Sequence, residues 1–339
     1  MSTLSAKRRV LGVAVAGLGV GAQHARAYAA TGRCDVRYLY DVDSAKSREL
    51  SERLGTGRAA ERFEQLLEDP EVDVVSIASY DDAHVGQVIA ALRAGKSVFV
   101  EKPLCRSMAE LETIQRTWEA HGCRPLASNL VLRAAPLYQR LRARIEAGEL
   151  GSLYAFDGEY LYGRLSKITD GWRKDVPDYS VMQGGGVHLV DLMLWLTGQR
   201  PVAVTARGNR ICTAGSAFRY HDYVAAAYEF PSGLIGRITA NFGCVHPHQH
   251  VVRVFGTAAT FLYDDAGARL HTNRDSSVPS TRLAEAALPE SKGDLIPAFV
   301  RAVAQGEDLR VQTQQEFDVM RVTLAADEAL AAGQRVTIS

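Results

Sequence analysis

Apolar positions in the first third of the chain fall in short unbroken runs separated by amphipathic stretches. Residues 13–16 (VAVA), 36–40 (VRYLY), 74–78 (VVSIA) and 97–100 (SVFV) are such runs. Runs this short and this apolar predict strands buried on both faces, as in a parallel sheet. Between them, residues 22–30, a stretch beginning near Ser44, residues 83–94 and residues 108–120 read as helices. Strands alternating with helices predict an α/β fold, a doubly wound parallel sheet with helices on both faces. Later the pattern turns strand-rich. Residues 154–162, 202–208, 221–230 and 234–241 read as strands, and Pro231-Ser232-Gly233 joins the last two as a hairpin. Residues 187–196 are apolar almost all round and predict a buried helix with His188, Asp191 and Trp195 on one side. A final helical stretch is expected after Lys292-Gly293-Asp294, with Phe299, Val300 and Val303 as its packing face.

Composition narrows the function. The stretch VAVAGLGVGAQHA follows the basic cluster Lys7-Arg8-Arg9, an order that also opens secretory signals. Between Val10 and Ala22 four glycines (Gly12, Gly17, Gly19, Gly21) interrupt the apolar run, and no small-x-small cleavage site follows. It is also shorter than the roughly 20 apolar residues a membrane span needs. Five cysteines, odd in number and without CxxC spacing, suit a reducing compartment, so a cytoplasmic address is expected. Thirty-nine basic residues balance thirty-nine acidic ones, which favours neither nucleic acid nor a membrane surface as partner. At 339 residues the chain has room for two domains, and a small-molecule ligand is the expectation.

The glycines then take on chemical meaning. Gly17, Gly19 and Ala22 fill the three small positions of a dinucleotide turn, with Val20 at the start of the following helix. The first makes the turn, the second lets backbone approach pyrophosphate, and the third packs the helix. A phosphate there meets unpaired amides and the positive end of the helix dipole. Asp41 ends the second run, where a carboxylate accepts hydrogen bonds from the adenosine ribose and repels a 2′-phosphate. NAD is therefore expected over NADP; the alternative for Asp41 is a cap on the helix near Ser44. Ligands of such sheets lie beyond the strands' carboxyl ends. That singles out the segment SYDDAH, with Ser79, Tyr80 and His84, and the segment Glu101-Lys102-Pro103-Leu104. Oxidising an alcohol needs a proton acceptor beside the carbon that releases hydride. Lys102 is the first candidate, since partial burial and a positive nicotinamide ring both favour its neutral form and Pro103 restricts its backbone.

With these residues in place the sequence resembles the glucose-fructose oxidoreductase, inositol dehydrogenase and MocA family. The resemblance rests on the glycine turn, SYDDAH, Glu101-Lys102-Pro103, Asn129 with Arg133, Gly148-Glu149-Leu150-Gly151, and the segment from Gly184 to Asp191. It implies a dinucleotide-binding Rossmann domain over residues 1–126. It also implies a substrate-binding and oligomerisation α/β domain over residues 127–339, built on a large, mainly antiparallel open sheet. A cis bond at the Lys102-Pro103 step belongs to the same resemblance. So does a sugar, sugar-derivative or cyclitol substrate, with His188 contacting it or shuttling its proton and Ser79, His84, Glu101 and Asn129 holding NAD. An open sheet face needs covering, so a homodimer or homotetramer is expected. Alternatives are an NADPH-dependent keto-sugar reductase and a non-catalytic NAD-binding regulator of a sugar pathway.

One position departs from the family pattern. Many members carry an aspartate four residues before the histidine, where this chain has Gly184. Asp178, Tyr179 and Tyr162 are the available substitutes. The loop through Tyr162, Arg164, Trp172 and Arg173 carries rings that stack on sugar faces and cations that suit a phosphate or carboxylate. Asp191 orients its helix or the ligand, or else packs on the helix face or caps a neighbouring segment. His246, His248 and His250 span about 13 Å on an extended strand, too far for one metal ion. No metal is expected, and these histidines are assigned to sheet surface or pocket rim.

Overall fold

The computed structural model describes residues 9–339; Lys7 and Arg8 of the basic cluster lie outside the described residues. The chain divides into two compact units. The first takes in the described residues up to Val131 together with Pro289–Phe317, and the second comprises Leu132–Leu288 with Asp318–Ser339. A single cut at 126 thus differs from this division chiefly in Pro289–Phe317.

In the first unit strands and helices alternate: β1 (Leu11–Ala16), α1 (Gly21–Ala30), β2 (Cys34–Tyr40), α2 (Ser44–Leu54), β3 (Arg58–Ala59), α3 (Glu64–Glu68), β4 (Val74–Ile77), α4 (His84–Arg93), β5 (Ser97–Val100), α5 (Met108–Ala120) and β6 (Leu126–Ser128). The strands form one parallel sheet in the order β3-β2-β1-β4-β5-β6. β1, β4 and β5 are buried at every residue, which is why their sequences are unbroken apolar runs. The order reverses between β1 and β4, and such a switch point opens a crevice at the carboxyl ends of the strands. The expected helix after residue 294 runs Ile296–Gln305, and Ile296, Phe299 and Val300 join the core of Val13, Val15, Tyr28 and Phe99. It is not the last helix, because Arg310–Ala332 follows it. Gln314-Gln315-Glu316 and Asp327-Glu328 interrupt that helix's apolar stripe, so its pattern was not read from sequence.

The second unit contains α6 (Pro136–Glu146), β7 (Leu153–Leu161), α7 (Ser166–Thr169), α8 (Val187–Thr197), β8 (Ala203–Asn209), β9 (Tyr223–Glu229), β10 (Ile235–Asn241), β11 (Gln249–Gly256), β12 (Thr260–Asp264), β13 (Gly267–His271), β14 (Thr281–Leu283) and β15 (Val336–Thr337). Nine strands form an open sheet in the order β14-β13-β12-β11-β7-β10-β9-β8-β15. Every neighbour pair is antiparallel except β7 with β10. One face packs on α8 through Phe156, Gly158 and Tyr160, the buried residues of alternating β7. Gly158 packs closely, since a Cβ there would lie 3.2 Å from Leu189 Cβ. The opposite face carries ion pairs such as Asp157–Arg237 and Glu159–Arg253. Among the described residues no helix is long and apolar enough to cross a membrane.

Candidate functional site

The first turn is made by necessity. Gly17 has φ +82°, and a Cβ on it would stand 2.3 Å from the Ser79 amide nitrogen and 2.4 Å from the Ala78 carbonyl. Around Gly19 that space holds nothing within 4 Å, so its backbone is open to a ligand. A Cβ on Gly21 would lie 3.0 Å from Val15 Cγ1, and with partly buried Ala22 this glycine lets α1 approach the sheet. Val20 is the N-cap and provides no side-chain cap to the amides of the first turn. A pyrophosphate fits such an end, because those donors and the dipole both favour negative charge.

Asp41 lies directly after β2, its Oδ2 accepting the Leu18 N–H at 2.7 Å and its Oδ1 the Asp43 N–H at 3.0 Å. The cap of α2 is Asp43, which accepts the Ala45 N–H at 3.1 Å. Capping therefore belongs to Asp43. Each carboxylate oxygen has two acceptor sites, so Asp41 retains capacity for ribose hydroxyls.

At the ends of β4 and β5 the expected segments meet. The Ser79 hydroxyl donates to Gln87 at 2.7 Å, and Tyr80 is exposed. His84 is fully buried, with Nδ1 2.7 Å from the Pro103 carbonyl oxygen and Nε2 3.2 Å from that of Ser79. With both nitrogens turned to backbone carbonyls it links the segment after β4 to the segment after β5. The Lys102-Pro103 bond is cis. Burial opposes ionisation of Glu101, yet hydrogen bonds and charge from His24, the Lys102 ammonium and the Asn129 amide together hold its carboxyl down to about 2. Asn129 donates through Nδ2 to Glu101 Oε1 at 2.6 Å and to the Lys292 carbonyl at 2.8 Å. Its Oδ1 is buried with no hydrogen-bond partner among the described residues. An orphaned acceptor costs stability unless a ligand donor meets it, and a cofactor amide or ribose hydroxyl has that chemistry. The residues present fit a dinucleotide.

In the second unit α8 begins at Val187 and carries buried His188, whose ring stacks near Tyr160 at 6.4 Å and meets His250 edge-on at 5.8 Å. Tyr160 stacks on Tyr162 at 5.8 Å, and Phe242 lies 4.6 Å from Tyr162. Arg164 sits over the Tyr162 ring and Arg173 over Trp172. His248 and buried His250 belong to this aromatic cluster, whereas His246 pairs with Asp265 at the surface, so of the two places expected, sheet surface or pocket rim, the surface holds only for His246. Period-two spacing put 248 and 250 on one face, but register with Tyr160 decided that it was the inner one.

Asp191 is fully buried, and Arg133 grips both of its oxygens at 2.5 to 3.1 Å. Burial pushes its carboxyl upward while the guanidinium pulls it down. Of the roles left open by sequence, this geometry supports orientation of the helix. Gly184 precedes His188 by one turn. A Cβ on it would lie 2.3 Å from the Tyr179 hydroxyl and 3.0 Å from Cζ, so the buried phenol fills that space. Arg173 Nε donates to the same phenol oxygen at 3.1 Å.

A parallel sheet with this strand order, a glycine turn at the end of β1 and a lysine beyond β5 defines a dinucleotide-dependent oxidoreductase. Residues 11–129 match the description "Oxidoreductase family, NAD-binding Rossmann fold", and residues 138–262 match the "GFO/IDH/MocA C-terminal domain". The chain belongs to the GFO/IDH/MocA family of NAD-binding oxidoreductases. It is 28% identical over 319 residues to an inositol 2-dehydrogenase of Acidothermus cellulolyticus, covering 91% of this chain and 88% of that one. An oxidoreductase domain protein from Kribbella flavida superposes with TM-score 0.87 at 22% identity, covering 98% of this chain and 100% of the other. Levoglucosan dehydrogenase solved with NADH and levoglucosan gives TM-score 0.85 at 20% identity, covering 97% and 99%.

His24, Ser76, Phe242 and Asp327 were not singled out from sequence. His24 alone left a signal, since it lies on the buried stripe Gly21, His24, Ala25, Tyr28 of α1.

Proposed function

We propose that the protein is an NAD-dependent oxidoreductase that moves a hydride between a secondary hydroxyl of a sugar, sugar derivative or cyclitol and the nicotinamide ring. The observation that carries this reading is the lysine at the carboxyl end of β5, in the same sheet as the glycine turn that ends β1. The inositol and levoglucosan dehydrogenases among its relatives support the substrate class. In this reading Gly17, Gly19, Val20, Ala22, Asp41, Ser79, Tyr80, Glu101 and Asn129 hold the dinucleotide, with His84 behind them. Bound NAD supplies the hydride acceptor. Lys102 takes the hydroxyl proton, and His188 orients the substrate or relays that proton. Tyr162, Arg164, Trp172 and Arg173 form the substrate-facing loop. Tyr179 takes the place of the carboxylate that Gly184 lacks, since its phenol fills that space. Asp191 serves by fixing α8.

Residues 1–126 are assigned to the dinucleotide and 127–339 to substrate and self-association through the open sheet. The cysteine pattern supports a cytoplasmic address.

Lys102→Met removes the acceptor and spares the amides of the glycine turn. The Met variant is expected to lose about 100-fold or more in kcat toward myo-inositol or levoglucosan while NAD binding, read by fluorescence quenching, stays within about threefold. Full turnover in that variant would refute the assignment.

A further inference from the structure

The imidazole of His24 joins four elements of the first unit. It rises from the first turn of α1, the helix that starts at the glycine turn, and is fully buried. Its ring packs edge-on against Phe99 of β5 at 5.4 Å. Nδ1 lies 3.0 Å from the Ser76 hydroxyl on β4. Nε2 lies 3.3 Å from Glu101 Oε1, past the end of β5, and 3.2 Å from Asn129 Nδ2, past the end of β6.

The donors in this cluster can be counted. Asn129 has two amide hydrogens, and short contacts assign them to Glu101 and to the Lys292 carbonyl. A lone pair on Nε2 would then face a carboxylate oxygen with no hydrogen between them. Nε2 therefore carries the proton and donates to Glu101, while the Ser76 hydroxyl donates to Nδ1. The carboxylate next to Lys102 in sequence is thereby held from two directions, by the helix of the glycine turn and by the segment after β6.

We propose that His24 is a positioning residue for Lys102: by fixing the Glu101 carboxylate it makes the aim of the neighbouring ammonium depend on how the glycine-turn helix is seated. The inference rests on the reading of Lys102 as the proton acceptor. A seated dinucleotide and an aligned base become parts of one buried network, and losing the imidazole uncouples them without removing any group that touches the cofactor phosphates.

Two substitutions separate this from simple packing. His24→Gln can place an amide N–H where Nε2–H stood, whereas His24→Asn reaches Ser76 and falls short of Glu101. The Asn variant is expected to lose about tenfold or more in kcat toward myo-inositol or levoglucosan, with KM and the NAD dissociation constant within about threefold of the parent. The Gln variant is expected to recover most of that loss even where both variants melt at the same lowered temperature. Long-range 1H–15N spectra of histidine-labelled protein without cofactor give an independent reading: the signal that disappears in His24→Asn should be that of an Nε2–H tautomer.

An Nδ1–H tautomer overturns the proposal, and so do equal kcat values in the Asn and Gln variants or a normal kcat in the Asn variant. Lys102→Met run alongside distinguishes the levels. If the Met variant is inactive and His24→Asn is normal, only the positioning role fails; if the Met variant is active, the base assignment fails and this inference falls with it.

Discussion

Single positions in this protein are decided by what a neighbouring backbone or ring leaves room for. Gly17 is required because a side chain would strike the backbone at Ala78 and Ser79. Gly184 reflects another kind of constraint, since the Tyr179 hydroxyl already fills the space its side chain would use. Asp41 follows β2 and accepts the Leu18 N–H of the glycine turn, and in the proposed reading its carboxylate repels a 2′-phosphate. Asp41→Ser is expected to weaken NAD about tenfold and to bring NADP to comparable affinity, as measured by parallel titrations. An unchanged preference for NAD would show that another group discriminates.

At the scale of elements, the start of α8 is held by a side chain from a helix distant in sequence. Asp327, on the helix Arg310–Ala332, accepts the Ser180 hydroxyl at 2.7 Å and the Gln183 amide at 2.8 Å. Ser180 in turn accepts the N–H groups of Met182 and Gln183, at the π-helical turn Met182–Gly186 that leads into α8. Burial raises the Asp327 carboxyl to about 6, partly offset by those two hydrogen bonds, and the Glu328 charge raises it further. A folded value above the unfolded one stabilises the protein at pH below the unfolded carboxylate range, near 3.9, and that contribution is lost as pH rises through about 6. Its size is on the order of 2–3 kcal/mol. Glu101, held at about 2, has the opposite sign: its contribution is present above the unfolded value and lost as pH falls toward 2. Asp327→Asn is therefore expected to flatten the fall in stability between about pH 4 and 6, measured by urea unfolding across that range. A slope equal to that of the parent would locate the titration elsewhere.

For the whole molecule, the core of the first unit is completed by a segment more than 150 residues away in sequence from the rest of that unit. Phe299 packs 5.5 Å from Phe99, which also meets His24, so the returning helix supports the strand that leads to Lys102. Phe299→Ala is expected to cost about 3–5 kcal/mol in denaturant unfolding; a loss below about 1 kcal/mol would mean that the segment contributes little. Among the described residues the face of the second unit's sheet opposite α8 carries ion pairs such as Asp157–Arg237, and self-association through the sheet is expected to give a dimer or tetramer by light scattering at micromolar concentration. A monomeric mass would remove the C-terminal sheet as an oligomer interface.

What the sequence determined by itself is whatever depends on near neighbours along the chain. Runs buried on both faces identified β1, β4 and β5, the glycine spacing identified the turn into α1, and an all-round apolar stretch identified α8. The segment Glu101-Lys102-Pro103 and Asp41 were legible for the same reason, each standing directly after a recognisable strand. Tertiary structure decided the rest. Helix-face spacing admitted His24 to the interior but could not pair it with Glu101 and Ser76, which arrive from other strands. Whether Asp191 meets a ligand or Arg133, and whether His250 faces water or Tyr160, follows from register and packing across elements far apart in the chain. A polar side chain's partner in the interior is fixed by which strand ends converge on it, and that convergence exists only once the sheet has formed.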